Sequence, residues 1–112
     1  MGLFTSKAEK LYRKGRDALR RFHSPDTAMA YFHEAAALGH DGAGLLLGDC
    51  YRKGDLGLPQ DGNKALENYA LVREPIGRFG EGLVYYFGTK GVERDDAKAL
   101  ALFQEAYHAK KY

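Results

Sequence analysis

The strongest constraint on this chain is that it matches itself at an offset of 34 residues. Gly48, Tyr51, Gly54, Gly57, Asp61, Lys64, Ala65 and Leu66 fall on Gly82, Tyr85, Gly88, Gly91, Asp95, Lys98, Ala99 and Leu100, eight identities within nineteen ungapped positions. Leu58 on Val92 and Tyr69 on Phe103 are conservative matches. A part of a third copy lies upstream, where Ala28, Phe32, Glu34 and Ala35 resemble Ala99, Phe103, Glu105 and Ala106. Self-similarity at this period is the mark of a stacked repeat, in which each unit buries its apolar face against its neighbours.

Each copy reads as two helices. In the middle copy, helix A runs from about Asp41 to Arg52, with Ala43, Leu47 and Tyr51 on one stripe. Gly54 ends it as a left-handed cap, and Gly54 to Pro59 is a turn-rich connector. Asp61 caps helix B, whose apolar face is Ala65, Leu66 and Tyr69. The last copy repeats this: helix A from about Pro75 to Phe87, the connector Gly88 to Val92, Asp95 as cap, and helix B to about Lys110. In the diverged first copy, Ser6 to Glu9 reads as a capping box, and Leu11, Tyr12, Ala18, Leu19 and Phe22 are the apolar residues of helix A. Ser24 is the N-cap of helix B, Pro25 its first residue, and Gly39 its end. The expected architecture is all-α, three antiparallel helix pairs in one domain spanning 1–112, with repeats at about 5–40, 41–74 and 75–110.

Gly48 and Gly82 fall mid-helix, where glycine costs about 1 kcal/mol relative to alanine. A neighbouring helix approaching closely, with the Tyr three residues on filling the adjacent space, would offset that cost. Gly48, Tyr51, Gly54, Ala65, Gly82, Tyr85, Gly88 and Ala99 are therefore read as packing positions.

The spacing Ala43-x3-Leu47-Gly48-x2-Tyr51-x2-Gly54-x2-Gly57-Leu58-x2-Asp61-x2-Lys64-Ala65, repeated from Gly82 to Ala99, resembles the Sel1-like repeat, a relative of the tetratricopeptide repeat. The resemblance covers 24–110 well and 5–23 weakly. The connectors are one residue longer than the commonest glycine spacing, Gly77 stands where an Ala of helix A belongs, and Glu81 stands where Leu precedes the glycine. The resemblance implies a right-handed superhelix that serves as an adaptor or scaffold in bacteria, holding a partner in a groove lined by the A helices. A cysteine-rich branch of the family is linked to β-lactam binding through paired cysteines, whereas this chain has Cys50 alone.

Groove positions counted from the packing residues are Tyr12, Arg16 and Arg20 in the first copy, Leu45, Asp49, Arg52 and Lys53 in the second, and Phe79, Leu83, Tyr86 and Phe87 in the third. The expected partner is a protein or peptide with acidic residues and an apolar anchor. Seven basic residues against two acidic ones before Ser24 make the first helix strongly cationic. Lys7, Lys10, Lys14 and Arg21 share a broad face, so weak nucleic-acid binding is an alternative. Leu100, Leu102, Phe103, Tyr107 and Tyr112 spread around the last helix without a polar cap, which suggests a homodimer through that end.

No residues gather for catalysis. His23-Ser24-Pro25-Asp26 holds three triad residue types, but a triad is assembled in space and not in sequence. Cys50 aligns with Val84 and reads as a packing thiol. The chain is thus expected to be no enzyme, with neither metal nor cofactor; the alternative class is a hydrolase of cell-wall or β-lactam type. No apolar run spans a membrane, and a cytoplasmic location is expected, with a processed secreted form as the alternative. Met1 to Ser6 matches the loose N-myristoylation pattern.

Overall fold

The computed structural model describes residues 5–110, with side chains described to 109. It contains six helices: α1 Lys7–Arg20, α2 Pro25–Ala37, α3 Asp41–Lys53, α4 Gly62–Ala70, α5 Pro75–Phe87 and α6 Asp96–Lys110. Each packs on the next in sequence, and α3 also touches α5. The slab is 19 Å thick, about two helix diameters, so the A helices (α1, α3, α5) form one layer and the B helices (α2, α4, α6) the other. The pattern Met1 to Ser6 falls mostly outside the described residues, as does Tyr112.

One contact recurs in all three pairs. An aromatic ring of the B helix enters a glycine of its own A helix. A Cβ on Gly15 would lie 2.6 Å from the Phe32 ring, on Gly48 2.5 Å from Tyr69, and on Gly82 2.5 Å from Phe103. This revises the account of the mid-helix glycines: the ring filling the space comes from the B helix, and not from the Tyr three residues on. Tyr69 is held on both faces, because a Cβ on Gly80 of α5 would also strike its ring. Phe32 and Tyr69 are fully buried, and Phe32 is sealed in a cluster with Ala43 and Leu47 of α3.

A second set of contacts closes each connector. The Asp61 N–H donates to the Tyr51 carbonyl at 2.9 Å, and the Asp95 N–H to the Tyr85 carbonyl at 2.9 Å. Each aspartate carboxylate then accepts from the backbone of Lys64 or Lys98 at 3.0 Å, capping its helix. Those lysines lie over the Tyr51 and Tyr85 rings, at 5.8 and 5.1 Å. Gly54 and Gly88 end their helices with φ of +76° and +68°. The Tyr, Gly, Asp and Lys identities of the two copies are thus a single closing device.

Local readings differ in three places. Ser6 accepts from the Glu9 N–H at 3.0 Å, but the Glu9 carboxylate turns away to Arg13 and His40, so only half of the capping box forms. Ser24 precedes α2 without a side-chain cap; its hydroxyl donates to the Phe22 carbonyl at 3.3 Å. Phe22 lies beyond α1 in the turn and is exposed. At α5, Gly77 lets the helix press on the end of α4, since a Cβ there would be 2.8 Å from Val72. Arg78 donates to the Tyr69 and Val72 carbonyls at 2.8 and 3.1 Å, and Glu81 holds it at 2.6 Å. Glu81 therefore replaces an apolar contact with a bracket for an arginine that caps α4.

The first two pairs are clasped by His40. Its Nδ1 accepts from the Ala43 N–H at 3.0 Å, capping α3. That fixes the tautomer with the proton on Nε2, which meets the Glu9 carboxylate at 2.7 Å. The imidazole also stacks on Tyr12, with ring centres 4.3 Å apart.

Two predictions follow from these contacts. Gly48→Ala drives a methyl into the Tyr69 ring and is expected to cost about 2 kcal/mol in urea unfolding. Gly57→Ala, which meets nothing within 4 Å but carries φ of +78°, is expected to cost about half as much. Equal losses would remove the ring contact as the cause. The second prediction concerns Glu9, whose carboxyl is held below the ordinary value of 4.5 chiefly by its hydrogen bond to His40. A carboxylate with a lowered folded pKa stabilises above its unfolded value, and that contribution disappears as pH falls through the folded value. Glu9→Gln is therefore expected to lower the urea midpoint at pH 7, with the gap closing in the acid range below about pH 4.5. A gap that persists unchanged at pH 2 contradicts this.

Candidate interaction surface

On the A-helix side the three pairs present the same positions with different chemistry. In the second pair, the Tyr69 hydroxyl emerges beneath α3, donates to the Asp49 carboxylate and accepts from Arg52 Nε at 3.0 Å. Arg52 also reaches Asp49 at 3.6 Å, and its side chain is only 16% exposed. Burial pushes the Tyr69 phenol well above its ordinary range, so it stays a neutral donor. Asp49 and Arg52 are thus joined through Tyr69, and Arg52 has little surface left for another molecule.

Shifted by 34, the same three positions become Leu83, Tyr86 and Phe103. The polar network is replaced as a unit by an apolar one. Phe103 has lost the hydroxyl, and Phe79 and Tyr86 lie against it with ring centres at 5.3 and 6.3 Å. Phe87 meets Tyr86 edge-on at 5.0 Å. Phe79, Tyr86 and Phe87 remain 44, 46 and 64% exposed, while Leu83 is half-buried. Three adjacent rings of one helix are thereby left substantially in water, an uncommon arrangement for a surface with no occupant.

Toward the first pair, Tyr12, Leu45, Leu46, Asp49, Asp55 and Leu56 line an open depression of about 600 Å³. Arg16 lies over the Tyr12 ring at 5.9 Å. Arg20 and Lys53 are exposed. The A-helix side therefore runs from basic at α1, through the carboxylates Asp49 and Asp55, to aromatic at α5. Cys50 borders this depression but is buried, and its thiol is pushed up to about 11 by burial, Asp55 and Asp49. His23 is exposed in the turn before Ser24, with φ of +49°.

One surface joins Phe79 of the sequence-based groove to Phe103 and Tyr107 of the apolar last helix and adds Ile76, which the sequence reading did not name. At the far end of the stack, Ile76, Phe79, Phe103, Ala106 and Tyr107 surround an apolar groove of about 550 Å³, with Glu74 at its edge. Ile76 and Tyr107 are 44 and 65% exposed. The alignment of Phe103 with the ring position Tyr69 was the available signal, because among the described residues no further helix lies against the outer face of that ring.

The two-layer stack of helix pairs is that of an α-helical repeat protein. The chain belongs to the Sel1 repeat family, whose repeats match at residues 8–40, 45–71 and 80–110. Its fold is similar to that of a Sel1 repeat protein from Oxalobacter formigenes, with a TM-score of 0.74 and 22% identity over 94% of this chain and 82% of that one. It is also similar to c5321, a protective antigen present in uropathogenic Escherichia coli strains that displays an SLR fold. The TM-score there is 0.78 at 26% identity, over 94% of this chain and 23% of the antigen. No curated protein matches the chain in sequence. Sel1 repeat proteins serve in general as protein-interaction scaffolds. Among the described residues no helix is long and apolar enough to cross a membrane.

The exchange of polar for apolar network gives a further prediction. Tyr69→Phe alone leaves Asp49 and Arg52 without their shared hydroxyl and is expected to cost about 1 kcal/mol. Adding Asp49→Leu and Arg52→Tyr, the residues used by the third pair, is expected to recover most of that loss in urea unfolding. Strictly additive costs would show that the three positions do not act as a unit.

Proposed function

We propose that this chain is a protein-interaction adaptor that holds a partner segment along its A-helix side, anchored on Phe79, Tyr86 and Phe87. The observation that carries this reading is the exposed, mutually packed aromatic cluster on α5. Each ring leaves on the order of 100 Å² in water. Covering all three is worth several kcal/mol gross at about 25 cal/mol per Å², and the cost of association is drawn from that. Rings already fixed by their neighbours lose little freedom on binding, which favours them as anchors.

Charge supports a partner of mixed character. Arg16, Arg20 and the exposed lysines of α1 suit acidic residues at one end of the segment, and the aromatic cluster suits an apolar side chain at the other. Asp49 and Asp55 between them favour a neutral or basic stretch in the middle of the segment. The basic α1 attracts polyanions in general, but the one cation on the α5 rings, Arg94 over Tyr86 at 5.8 Å, is already paired with Asp96 at 3.0 Å, which favours a protein partner over nucleic acid.

The test is quantitative capture from native lysate with the wild-type chain and with Tyr86→Ala plus Phe87→Ala. The doubly substituted chain is expected to unfold at nearly the same temperature, since both side chains are exposed, and to lose the specific partner at least tenfold. Recovery of the same partner at the same yield would show that the α5 rings are not the anchor.

A further inference from the structure

The two grooves between successive B helices are built alike but filled differently. Between α2 and α4, His33, Tyr51, Lys64, Glu67, Asn68 and Leu71 line a space of about 270 Å³. His33 reaches across it: its Nε2 meets the Tyr51 hydroxyl at 3.2 Å, and the two ring centres are 6.0 Å apart. His33 is the residue after the ring Phe32, and the residue after the next ring, Tyr69, is Ala70. In the groove between α4 and α6 the Tyr85 hydroxyl therefore has no imidazole to meet. That groove opens to about 650 Å³, a volume within the roughly 300–1,000 Å³ of pockets that hold ligands.

Its walls are two regular stripes. Asn63, Leu66, Glu67 and Ala70 of α4 stand opposite Lys98, Ala101, Leu102 and Glu105 of α6, each set at helical spacing and so on one side of its helix. Glu81 and Tyr85 of α5 form the floor. Both walls pack on α5, with little direct contact between them. The groove is thus internal to the stack, with both walls and floor drawn from described helices.

Charge decides what the groove takes. In the first groove, Lys64 and Glu67 balance, and the imidazole that crosses it is kept neutral because partial burial, and then Lys64, lower its pKa. In the second, Glu67, Glu81 and Glu105 meet a single ammonium, that of Lys98. At the repeat offset Glu81 replaces Leu47 and Glu105 replaces Leu71, so both additional carboxylates are departures from the preceding pair. Glu81 is held by Arg78 at 2.6 Å, and Lys98 lies over the Tyr85 ring at 5.1 Å. Among the described residues Glu67 and Glu105 form no ion pair. Apolar walls, a phenol oxygen and two unpaired carboxylates suit a long side chain with a cationic head.

We propose that the α4–α6 groove docks an arginine from a segment of a partner protein. Its methylenes lie on Leu66, Ala70, Ala101 and Leu102, and its guanidinium donates to the Tyr85 hydroxyl oxygen and to the Glu67 and Glu105 carboxylates. Arginine suits the site better than lysine because its planar head carries five donors for several acceptors at once and is more weakly hydrated than an ammonium. The site extends the interaction-module reading to the B-helix layer, away from the α5 anchor.

The test is a titration of the whole, isotope-labelled chain at physiological salt, followed by amide chemical shifts. The probe is acetylated alanyl-arginyl-alanine amide, compared with its lysine and norleucine versions. Saturable shifts are expected at 63–70, 81–85 and 98–105, with the lysine peptide at least fivefold weaker and the norleucine peptide silent. Ala70→His, which puts an imidazole where the first groove has His33, is expected to fold as the wild type does, because Ala70 is exposed, and to weaken the arginine peptide at least tenfold. Glu67→Gln with Glu105→Gln is expected to do the same. The Tyr86→Ala, Phe87→Ala chain is expected to bind the peptide as the wild type does, so this site and the α5 anchor can fail separately. The proposal is overturned by equal binding of the arginine and lysine peptides, by shifts scattered over other acidic surface, by binding that Ala70→His leaves unchanged, or by no saturable binding at all.

Discussion

The contact on which the structure depends is an aromatic ring seated in a glycine. Gly15 with Phe32, Gly48 with Tyr69 and Gly82 with Phe103 each bring an A helix and its B helix together more closely than any side chain at the glycine would permit. A glycine in a helix interior is unfavourable by about 1 kcal/mol, and a buried ring returns more than that. The exchange fixes both spacing and register, because each ring has only one glycine to enter on its own A helix. The identities that surround it serve a second purpose. Tyr51 with Asp61 and Lys64, and Tyr85 with Asp95 and Lys98, close the connectors so that each B helix starts where its ring can reach the glycine.

How much of this was legible in the sequence follows from the same physics. Helix pairing, caps at Gly54, Gly88, Asp61 and Asp95, and the all-α repeat fold could be read, because they depend on residue types at fixed short spacings. The partner of each glycine could not, because the ring lies about twenty residues away in another helix. The Gly15–Phe32 pair was missed for a related reason. The loop before α2 and the length of the connector differ in the first pair, so no single offset aligns both the glycine and the ring with the later copies. Glu9 was read as a capping residue, since a capping box is local. A histidine 31 positions away claimed its carboxylate instead.

The groove residues show where pattern counting reaches its limit. Asp49, Arg52, Leu83 and Tyr86 were placed on the A-helix side by helical phase alone. Phase says which way a side chain leaves the helix but not what it meets. Arg52 meets the Tyr69 hydroxyl and is mostly consumed by it, whereas Tyr86, at the same position one copy later, has an apolar neighbour and stays exposed. Tyr107 was legible as part of an apolar last helix, but Ile76 was not, because its place beside Tyr107 depends on how α5 packs against α6.

In a repeat array the scaffold positions must agree from pair to pair, so chemistry specific to one protein shows where equivalent positions disagree. The largest disagreement here is the replacement of Asp49, Arg52 and Tyr69 by Leu83, Tyr86 and Phe103. A single one of these changes would strand a buried hydroxyl or a carboxylate; made together they leave nothing unpaired. The result is a surface that is self-satisfied and polar at the middle of the stack but apolar at its end. A partner of the proposed kind would have more to gain at α5 than at α3, where hydrogen-bonding groups are already spent on one another. The cationic α1 at the opposite end adds long-range attraction without apolar contact, which affects the rate of encounter more than its strength. In the proposed adaptor the two ends would divide the work of recognition, with orientation set at α1 and retention at α5.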